Sequence, residues 1–282
     1  MILVFGKTGQ VAQELAQLPG VFCLGREDAD LMMARDCADQ INRRRPAAVI
    51  NAAAYTAVDQ AESDEENATR INAKAPEAMA KACADLDIPF VQISTDYVFS
   101  GQGDIPWQPD DQTAPLGAYG RSKLAGERAV QAAGGRFAIL RCSWVVSAHG
   151  ANFVKTMLAL GAEREALNIV ADQIGGPTAA ADIAVACHRM ALQLIDDPAK
   201  AGIYHFAGAP ECSWADFARA IFNKTGLNCA VTDIASSDYP TPARRPLNSR
   251  MDCTSTTDIF GITRPDWRDS LTPILTDLGA VT

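Results

Sequence analysis

The sequence predicts an α/β protein in which a doubly wound parallel sheet is followed by a smaller C-terminal substrate lobe. Short apolar runs alternate with amphipathic segments through the first half of the chain, and these runs are apolar on both faces. A glycine turn follows the first run. Strands that bury both faces and alternate with helices form parallel sheets with right-handed crossovers, so helices are expected on both sides of the sheet.

The strands and helices of the first half are predicted from these runs and from helical spacing. Strands are predicted at residues 2–5, 21–24, 48–51, 90–94 and 137–142, and helices at 10–18, 35–45, 67–86 and 119–133. The third helix has the spacing of one buried face at Ile71, Ala75, Met79, Ala82 and Leu86.

The pattern loosens after residue 143. Helices are predicted at 152–161 and 179–196, a strand at 202–208, and a further helix after Ser213. Asn152 and Ser213 are typical helix N-cap residues, and residues 236–250 are irregular. We interpret residues 1–143 as a dinucleotide-binding domain and residues 144–282 as mainly a substrate-binding lobe, with some segments returning to the first domain.

The composition is that of a globular protein that binds neither nucleic acid nor a membrane. The net charge of −9 argues against nucleic acid, and no apolar run approaches the roughly 20 residues of a membrane span. Eight cysteines lack CxxC spacing and only three histidines are present, so neither a disulfide framework nor a tetrahedral metal site is expected. Because the N-terminus enters a strand at once, we expect a cytoplasmic protein.

The first predicted strand leads into a glycine turn and then a helix. Gly6 would allow a tight turn, Gly9 would let the backbone approach a pyrophosphate, and Ala12 would let helix and strand pack closely. The helix N-terminus would present free N–H groups to phosphates. A purely structural turn is the alternative, but the position between strand and helix favours dinucleotide binding and a Rossmann-type sheet.

The turn after the second strand bears on the choice of nicotinamide cofactor. An acidic residue there would bind the ribose 2′-hydroxyl of NAD(H), whereas an arginine suits the 2′-phosphate of NADP(H). The turn contains Gly25 and Arg26, which favours NADP(H). Glu27 and Asp28 are close enough that NAD(H) stays possible as a cofactor.

The groups needed for carbonyl reduction are predicted at one edge of the sheet. The fourth strand delivers Ser94, Thr95 and Asp96 to the carboxyl edge, where open α/β sheets bind ligands. Tyr119 and Lys123 are four residues apart, so they share one face of the next helix. We expect Tyr119 to protonate the alkoxide that hydride addition forms, and Lys123 to lower the pKa of the phenol and bind the nicotinamide ribose. Thr95 would hold the carbonyl oxygen.

Six motifs in this order resemble the extended short-chain dehydrogenase/reductase family: GKTGQVAQEL, NAAAYTAVDQAES, STDYVFSG, PLGAYGRSKLAGE, RCSWVVS and NFVKTM. The resemblance runs from residue 1 to residue 178, and more thinly to residue 252. It is closest to the branch that reduces the C4 keto group of dTDP-4-dehydro-L-rhamnose with NADPH or NADH, a step towards cell-surface polysaccharide such as lipopolysaccharide O-antigen.

The resemblance also implies the residues of the site. Thr95, Tyr119 and Lys123 would be catalytic. The implied cofactor contacts are Gly6, Lys7, Thr8, Gly9, Gln10, Val11, Gly25, Arg26, Asp30, Leu31, Ala52, Ala53, Ala54, Tyr55, Thr56, Ile93, Tyr119 and Lys123. The implied substrate contacts are Thr56 to Val58, Thr95, Asp96 and Trp144.

Members of the family also show a magnesium-linked dimer that uses glutamates. Glu14 matches one of these glutamates, but Ala181 occupies the position expected for another, with Asp182 beside it. We therefore predict no metal, and the resemblance is compatible with a homodimer.

Two features of the second half have more than one interpretation. The indole of Trp144 offers a face on which a sugar ring could pack. Arg244 and Arg245 either include a partner for a substrate diphosphate, since a planar guanidinium suits phosphate oxygens, or belong to a surface loop.

Two other functions stay open at this point. A nucleotide-sugar dehydratase or epimerase has the same fold, but related dehydratases place Asp–Glu after the threonine, where this chain has Asp96 and Tyr97. A non-catalytic NADP-binding regulatory subunit could keep the cofactor pocket alone. The presence of Thr95, Tyr119 and Lys123 together argues against that second alternative.

Overall fold

The computed structural model describes residues 1–281. Its strands are β1 (Ile2–Phe5), β2 (Val21–Leu24), β3 (Ala48–Asn51), β4 (Phe90–Thr95), β5 (Phe137–Cys142), β6 (Val145–Val146), β7 (Ala166–Val170), β8 (Ile174–Gly175), β9 (Thr178–Ala179), β10 (Gly202–Phe206), β11 (Cys212–Ser213), β12 (Ala230–Ile234) and β13 (Asn248–Ser249). Its α-helices are α1 (Gln10–Leu15), α2 (Ala34–Arg44), α3 (Val58–Ala61), α4 (Glu65–Thr69), α5 (Ala75–Asp85), α6 (Ala118–Ala133), α7 (Phe153–Glu163), α8 (Ala180–Asp196), α9 (Trp214–Thr225), α10 (Thr254–Phe260) and α11 (Trp267–Asp277).

The central sheet has the predicted parallel, doubly wound form. Its six strands lie in the order β2-β1-β3-β4-β5-β10, and every neighbouring pair is parallel. The strand order reverses between β1 and β3, and open α/β sheets bind ligands at such a point. The strand predicted at 202–208 is β10, which pairs with β5 at the edge of this sheet.

Helices cover both faces of the sheet, as the apolar strands require. One core cluster packs α1, α8 and α10 against the sheet, and a second cluster packs α2, α5 and α6 against the other face. Both clusters combine aliphatic and Ala side chains with a few aromatic, Met and Cys side chains, and all have almost no solvent exposure. No helix within residues 1–281 is both long enough and apolar enough to span a bilayer.

The helix predicted at 67–86 is interrupted. Residues Arg70–Lys74 form a π-helical turn between α4 and α5. Pro76 has no N–H with which to bond the carbonyl of Asn72, so a regular α-helical ladder cannot run through this point. Such π turns are frequent at functional sites, and Asn72 indeed supports the site described below.

A second lobe has its own core, in which α7, α9 and α11 pack with the two-stranded sheet of β7 and β12. The capped helix predicted after Ser213 is α9, and its capping box joins Ser213 and Asp216. The sequence did not predict β7, β12, α10 or α11. Helix α11 carries Pro273 in its interior, which normally argues against a helix.

Candidate active site

A cleft of about 1110 Å³ lies at the carboxyl edge of the sheet, where the strand order reverses. Of the cofactor and substrate residues predicted from the sequence, all except Tyr55 and Ala57 line it. Gly150 and Ala151, from the loop that follows β6, also line the cleft. No sequence pattern indicated these two residues, because their position depends on how the second lobe returns to the sheet.

The glycine turn after β1 has the geometry of a dinucleotide cradle. Gly6 has a φ of 119°, and a Cβ there would lie 3.3 Å from the backbone of Ala52 and Ala53 and from Cβ of Ala12. Glycine is therefore required for this turn to pass so close to the β3–α3 loop. Gly9 caps α1 without any side-chain hydrogen bond. The residues present therefore fit a bound pyrophosphate.

The turn after β2 carries charged side chains at the mouth of the cleft. Arg26 is largely exposed and bonds Asp30 through Nε at 3.1 Å, while the Glu27 carboxylate pairs with Lys7 at 2.9 Å. The carboxyl of Asp28 accepts the N–H of Gly25 and so closes the turn. Within residues 1–281, Arg26 is the only arginine that lines the cleft, and the neighbouring carboxylates, like Arg26 itself, have partners in the protein.

Tyr119 lies in the first turn of α6 and faces the cleft beside Thr95, the last residue of β4. Burial raises the pKa of the Tyr119 phenol well above its usual range, and a hydrogen bond with the Thr95 side chain opposes that rise. The Tyr97 ring packs edge-on against the Tyr119 ring, with 5.5 Å between centroids. The phenol thus keeps its proton at neutral pH, as a proton donor must.

Lys123 follows one turn later in α6 and is buried. Its ammonium donates to the Ile93 carbonyl at 2.7 Å. Burial lowers the pKa of Lys123 to about 8, and the Glu127 carboxylate opposes the shift. The expectation that Lys123 lowers the pKa of Tyr119 is not met in this arrangement. Loss of solvent contact has the largest effect on the pKa of the phenol, and the ammonium of Lys123 donates to a backbone carbonyl.

Asp96 is buried beneath Thr95, and both of its carboxyl oxygens are occupied. Oδ1 accepts from the Thr95 hydroxyl at 3.1 Å, and Oδ2 accepts from the Ser249 hydroxyl at 2.5 Å. Burial raises the pKa of Asp96 to about 6, against the effect of these two hydrogen bonds. Ser249 was missed at the sequence level because it belongs to the segment 236–250, which was predicted to be irregular.

Tyr55 is the predicted cofactor residue that does not line the cleft. Its N–H donates to Asn72 Oδ1 at 2.8 Å, and its carbonyl accepts from Asn72 Nδ2 at 3.0 Å. The same amide nitrogen donates to the hydroxyl of Ser122, which donates to the carbonyl of Tyr119. The π-helical turn at Asn72 thus holds the β3–α3 loop and the start of α6 in a fixed relation.

Comparison with known proteins places this geometry in a family. A family model described as "RmlD substrate binding domain" matches residues 1–280. The chain belongs to this family. A relative from Sinorhizobium fredii named dTDP-4-dehydrorhamnose reductase is 44% identical over 95% of this chain and 94% of its own length. The enzyme of the same name from Salmonella typhimurium is 40% identical over 100% of this chain and 99% of its own length.

Solved structures of the family have the same fold. The dTDP-4-dehydrorhamnose reductase of Clostridium acetobutylicum superposes with a TM-score of 0.91 at 36% identity, covering 99% of both chains. That of Bacillus anthracis, solved in complex with NADP, has a TM-score of 0.90 at 33% identity and covers 98% of both chains. The sequence-based assignment to this group of reductases is therefore confirmed.

Trp144 lies in the cleft, but one face of its indole is already covered. It stacks on Trp214 of α9, with 3.6 Å between ring centroids and 10° between planes. A Cβ at Gly175 would lie 2.9 Å from its ring, so glycine makes room there. One face of the indole is thus occupied by protein, and only its remaining surface is left for a ligand. That a sugar ring packs on this surface stays a prediction.

Arg245, one of the two adjacent arginines with an open interpretation, pairs with another side chain of the same protein. Its guanidinium bonds both carboxyl oxygens of Asp59, at 2.7 and 3.1 Å, and the N–H of Ala243 donates to the same carboxylate. This contact fastens the C-terminal segment to the start of α3, where Val58 lines the cleft. Arg244 is exposed.

Glu14, which the resemblance relates to a metal-linked dimer, lies 3.5 Å from Nε2 of His149. Asp182, beside Ala181, accepts a hydrogen bond from Ser270. In the described part of the chain there is no group of three or more His, Cys, Asp or Glu side chains that could hold a metal ion. The absence of a metal stays a prediction.

A fully buried ion pair joins α6 to the central sheet. Arg141 of β5 makes two hydrogen bonds to the carboxylate of Glu127 in α6, at 2.7 and 2.9 Å, and both side chains are at most 2% exposed. Ser94 also donates to Glu127. Burial, together with the guanidinium of Arg141, lowers the pKa of neighbouring His205 to about 3, so this imidazole is neutral.

Replacing Glu127 with alanine should lower the free energy of unfolding by about 3–5 kcal/mol, because it leaves the Arg141 charge buried and unpaired. Urea denaturation followed by circular dichroism measures this change. Glu65→Ala is the matched control, since Glu65 pairs with Arg121 while both side chains are about half exposed, and such pairs contribute about 0–1 kcal/mol. Equal losses in the two variants would contradict the expected role of burial.

Proposed function

We propose that this protein reduces the C4 keto group of dTDP-4-dehydro-L-rhamnose with NADPH, giving dTDP-L-rhamnose for cell-surface polysaccharide synthesis. The observation that carries the proposal is the convergence of Thr95, Tyr119 and Lys123 on one cleft at the reversal of the strand order. Family membership and full-length relatives named for this reaction support it.

Each of these side chains has a distinct task in the proposed reaction. NADPH, when bound, supplies the hydride that adds to the carbonyl carbon. Tyr119 gives its proton to the oxygen as negative charge develops there, which a phenol held neutral by burial is suited to do. Thr95 fixes the position of that oxygen, and the buried ammonium of Lys123 supplies positive charge and ribose contacts next to the phenol.

The direct test is to incubate the purified protein with NADPH and the keto sugar, to follow the loss of NADPH absorbance and to identify the product by NMR. Equimolar NADPH consumption and formation of dTDP-L-rhamnose are expected. Tight NADPH binding without turnover would favour a regulatory NADP-binding subunit instead. Release of water from a dTDP-hexose without net NADPH consumption would favour a dehydratase.

We also propose that NADP(H) is preferred over NAD(H), with Arg26 as the discriminating residue. Replacing Arg26 with alanine should raise the Kd for NADPH about tenfold and change that for NADH by less than about twofold, because only NADPH carries the 2′-phosphate. Fluorescence titration measures both constants. Arg35→Ala is the matched control, since Arg35 also pairs with an aspartate four residues later but lies outside the cleft. Equal weakening of both cofactors in Arg26→Ala would contradict the assignment.

We also propose the compartment of the reaction and the oligomeric state of the protein. We propose that it takes place in the cytoplasm, which the eight free cysteine thiols, seven of them buried, support. We propose a homodimer on the strength of the family resemblance, and light scattering of the purified protein will measure its mass.

A further inference from the structure

The Gln10 side chain lies where the phosphate-binding turn meets the second lobe. Gln10 is the first residue of α1 and lines the cleft. Its Oε1 atom accepts from the Ser147 hydroxyl at 2.9 Å and from Nδ2 of Asn152 at 3.0 Å. Gly150, in the loop between these two residues, also lines the cleft, and a Cβ there would lie 3.4 Å from Cγ of Gln10. The contact therefore joins the cofactor turn to the loop that follows β6.

The surrounding backbone fixes which atom of the Asn152 amide faces Gln10. Nδ2 of Asn152 lies 2.8 Å from the Ser147 carbonyl and 3.2 Å from the His149 carbonyl, both of which can only accept. On the other side, Oδ1 of Asn152 accepts the N–H of Lys155 and caps α7. The atom facing Gln10 is therefore a donor nitrogen.

This arrangement in turn fixes the orientation of the Gln10 amide. An N–H donor on Asn152 requires an acceptor on Gln10, so Oε1 is the atom that faces the loop. Nε2, with both amide protons, is the atom left over, and no residue in the range 1–281 accepts a hydrogen bond from it. An amide held in this way offers two donors to an anion in the cleft at a small cost in side-chain entropy.

We propose that Asn152 and Ser147 are positioning residues for the cofactor, which hold the Gln10 amide so that its Nε2 protons face the pyrophosphate of bound NADP(H). This inference rests on the proposed cofactor but not on the proposed sugar. Asn152 therefore has two functions. Its Oδ1 atom caps the N-terminus of α7, and its Nδ2 atom orients the side chain that would contact the cofactor. Neither Asn152 nor Ser147 lines the cleft.

The first test changes only the outer atom of Gln10. In Gln10→Glu, one carboxylate oxygen still accepts from Ser147 and Asn152, but the other replaces the NH₂ group with negative charge. We expect the Kd for NADPH to rise at least about tenfold, or about 1.4 kcal/mol. The Kd for adenosine 2′-phosphate, which lacks the pyrophosphate, should stay the same, and so should the melting temperature of the free protein. Equal weakening of both ligands, or of neither, would overturn the proposal.

The second test asks whether Asn152 acts through Gln10. Asn152→Ser keeps a helix-capping oxygen and removes the amide donors, so we expect NADPH binding to weaken about three- to tenfold. In a Gln10→Ala background the same change should leave the Kd within about twofold, because no amide remains to be oriented. Equal weakening in both backgrounds would show that Asn152 only shapes the loop. Since neither test uses the keto sugar, failure of the proposed sugar reaction would be visible separately.

Discussion

Replacing Tyr119 with phenylalanine should lower kcat by roughly 10²–10⁴-fold, the range that a positioned general acid contributes. The change removes one oxygen from a ring that is otherwise held by Tyr97 and by the turn of α6. The Kd for NADPH should stay within about twofold, because the lost atom lies beside Thr95 and, in the proposed reaction, acts on the keto oxygen and not on the phosphates or the adenine. Steady-state kinetics and fluorescence titration give the two quantities.

Tyr97→Phe is the matched control for this prediction. Tyr97 lines the same cleft, packs against Tyr119, and has a phenol pKa that burial also raises. If proximity to the cleft were enough, its loss would slow turnover as much as the loss of the Tyr119 hydroxyl. A kcat for Tyr97→Phe close to that of the unchanged protein, beside a large loss for Tyr119→Phe, identifies one phenol as the proton donor. Comparable losses in the two variants would contradict the assignment.

The central sheet could be predicted from the sequence because its signals are local. The strands β1 to β5 are short runs that are apolar on both faces, and each is followed by a segment with helical spacing. The position of β10 beside β5 could not be predicted, since nothing in residues 202–208 specifies its neighbour. The small strands β8, β11 and β13 are two residues long, and their pairing depends on how the second lobe folds over the cleft.

The candidate site likewise contains residues that local patterns predict and residues that only the fold brings together. Gly6 was predicted from the turn between the first strand and the first helix. Tyr119 and Lys123 were predicted from their spacing within one helix. Ser249 lies 153 residues from Asp96, and Asn152 lies 142 residues from Gln10. No periodicity connects residues so far apart, and only the folded chain shows which of them meet.

The pKa of Lys123 could not be predicted from the sequence either, because it depends on how deeply the fold buries the ammonium. The sequence suggested an ammonium that lowers the pKa of its neighbour, whereas the structure shows one whose own pKa falls from 10.5 to about 8 through burial. Between these two values the unfolded chain binds the proton and the folded chain has released it. The contribution of Lys123 to the free energy of unfolding therefore rises with pH between about 8 and 10.5, so the buried charge opposes folding at neutral pH.

Replacing Lys123 with methionine should accordingly separate catalysis from stability. We expect kcat/KM to fall roughly 10²-fold at neutral pH, because the positive charge beside the reacting oxygen is lost. The urea midpoint should be maintained or raised, because a buried charge is replaced by an apolar side chain of similar length.

The pH profile distinguishes this role from simple packing. In the unchanged protein, kcat/KM should decline above a pH of about 8, where Lys123 loses its proton. The phenol of Tyr119 titrates at much higher pH and cannot produce that decline. The Lys123→Met variant should give a flat profile across the same range at its lower level. The stability of the variant relative to the unchanged protein should fall as the pH rises from about 8 to 10.5, because only the unchanged protein releases a buried charge there. A decline that persists in the variant would assign the titration to another group, and the ammonium would then have no demonstrated part in the reaction.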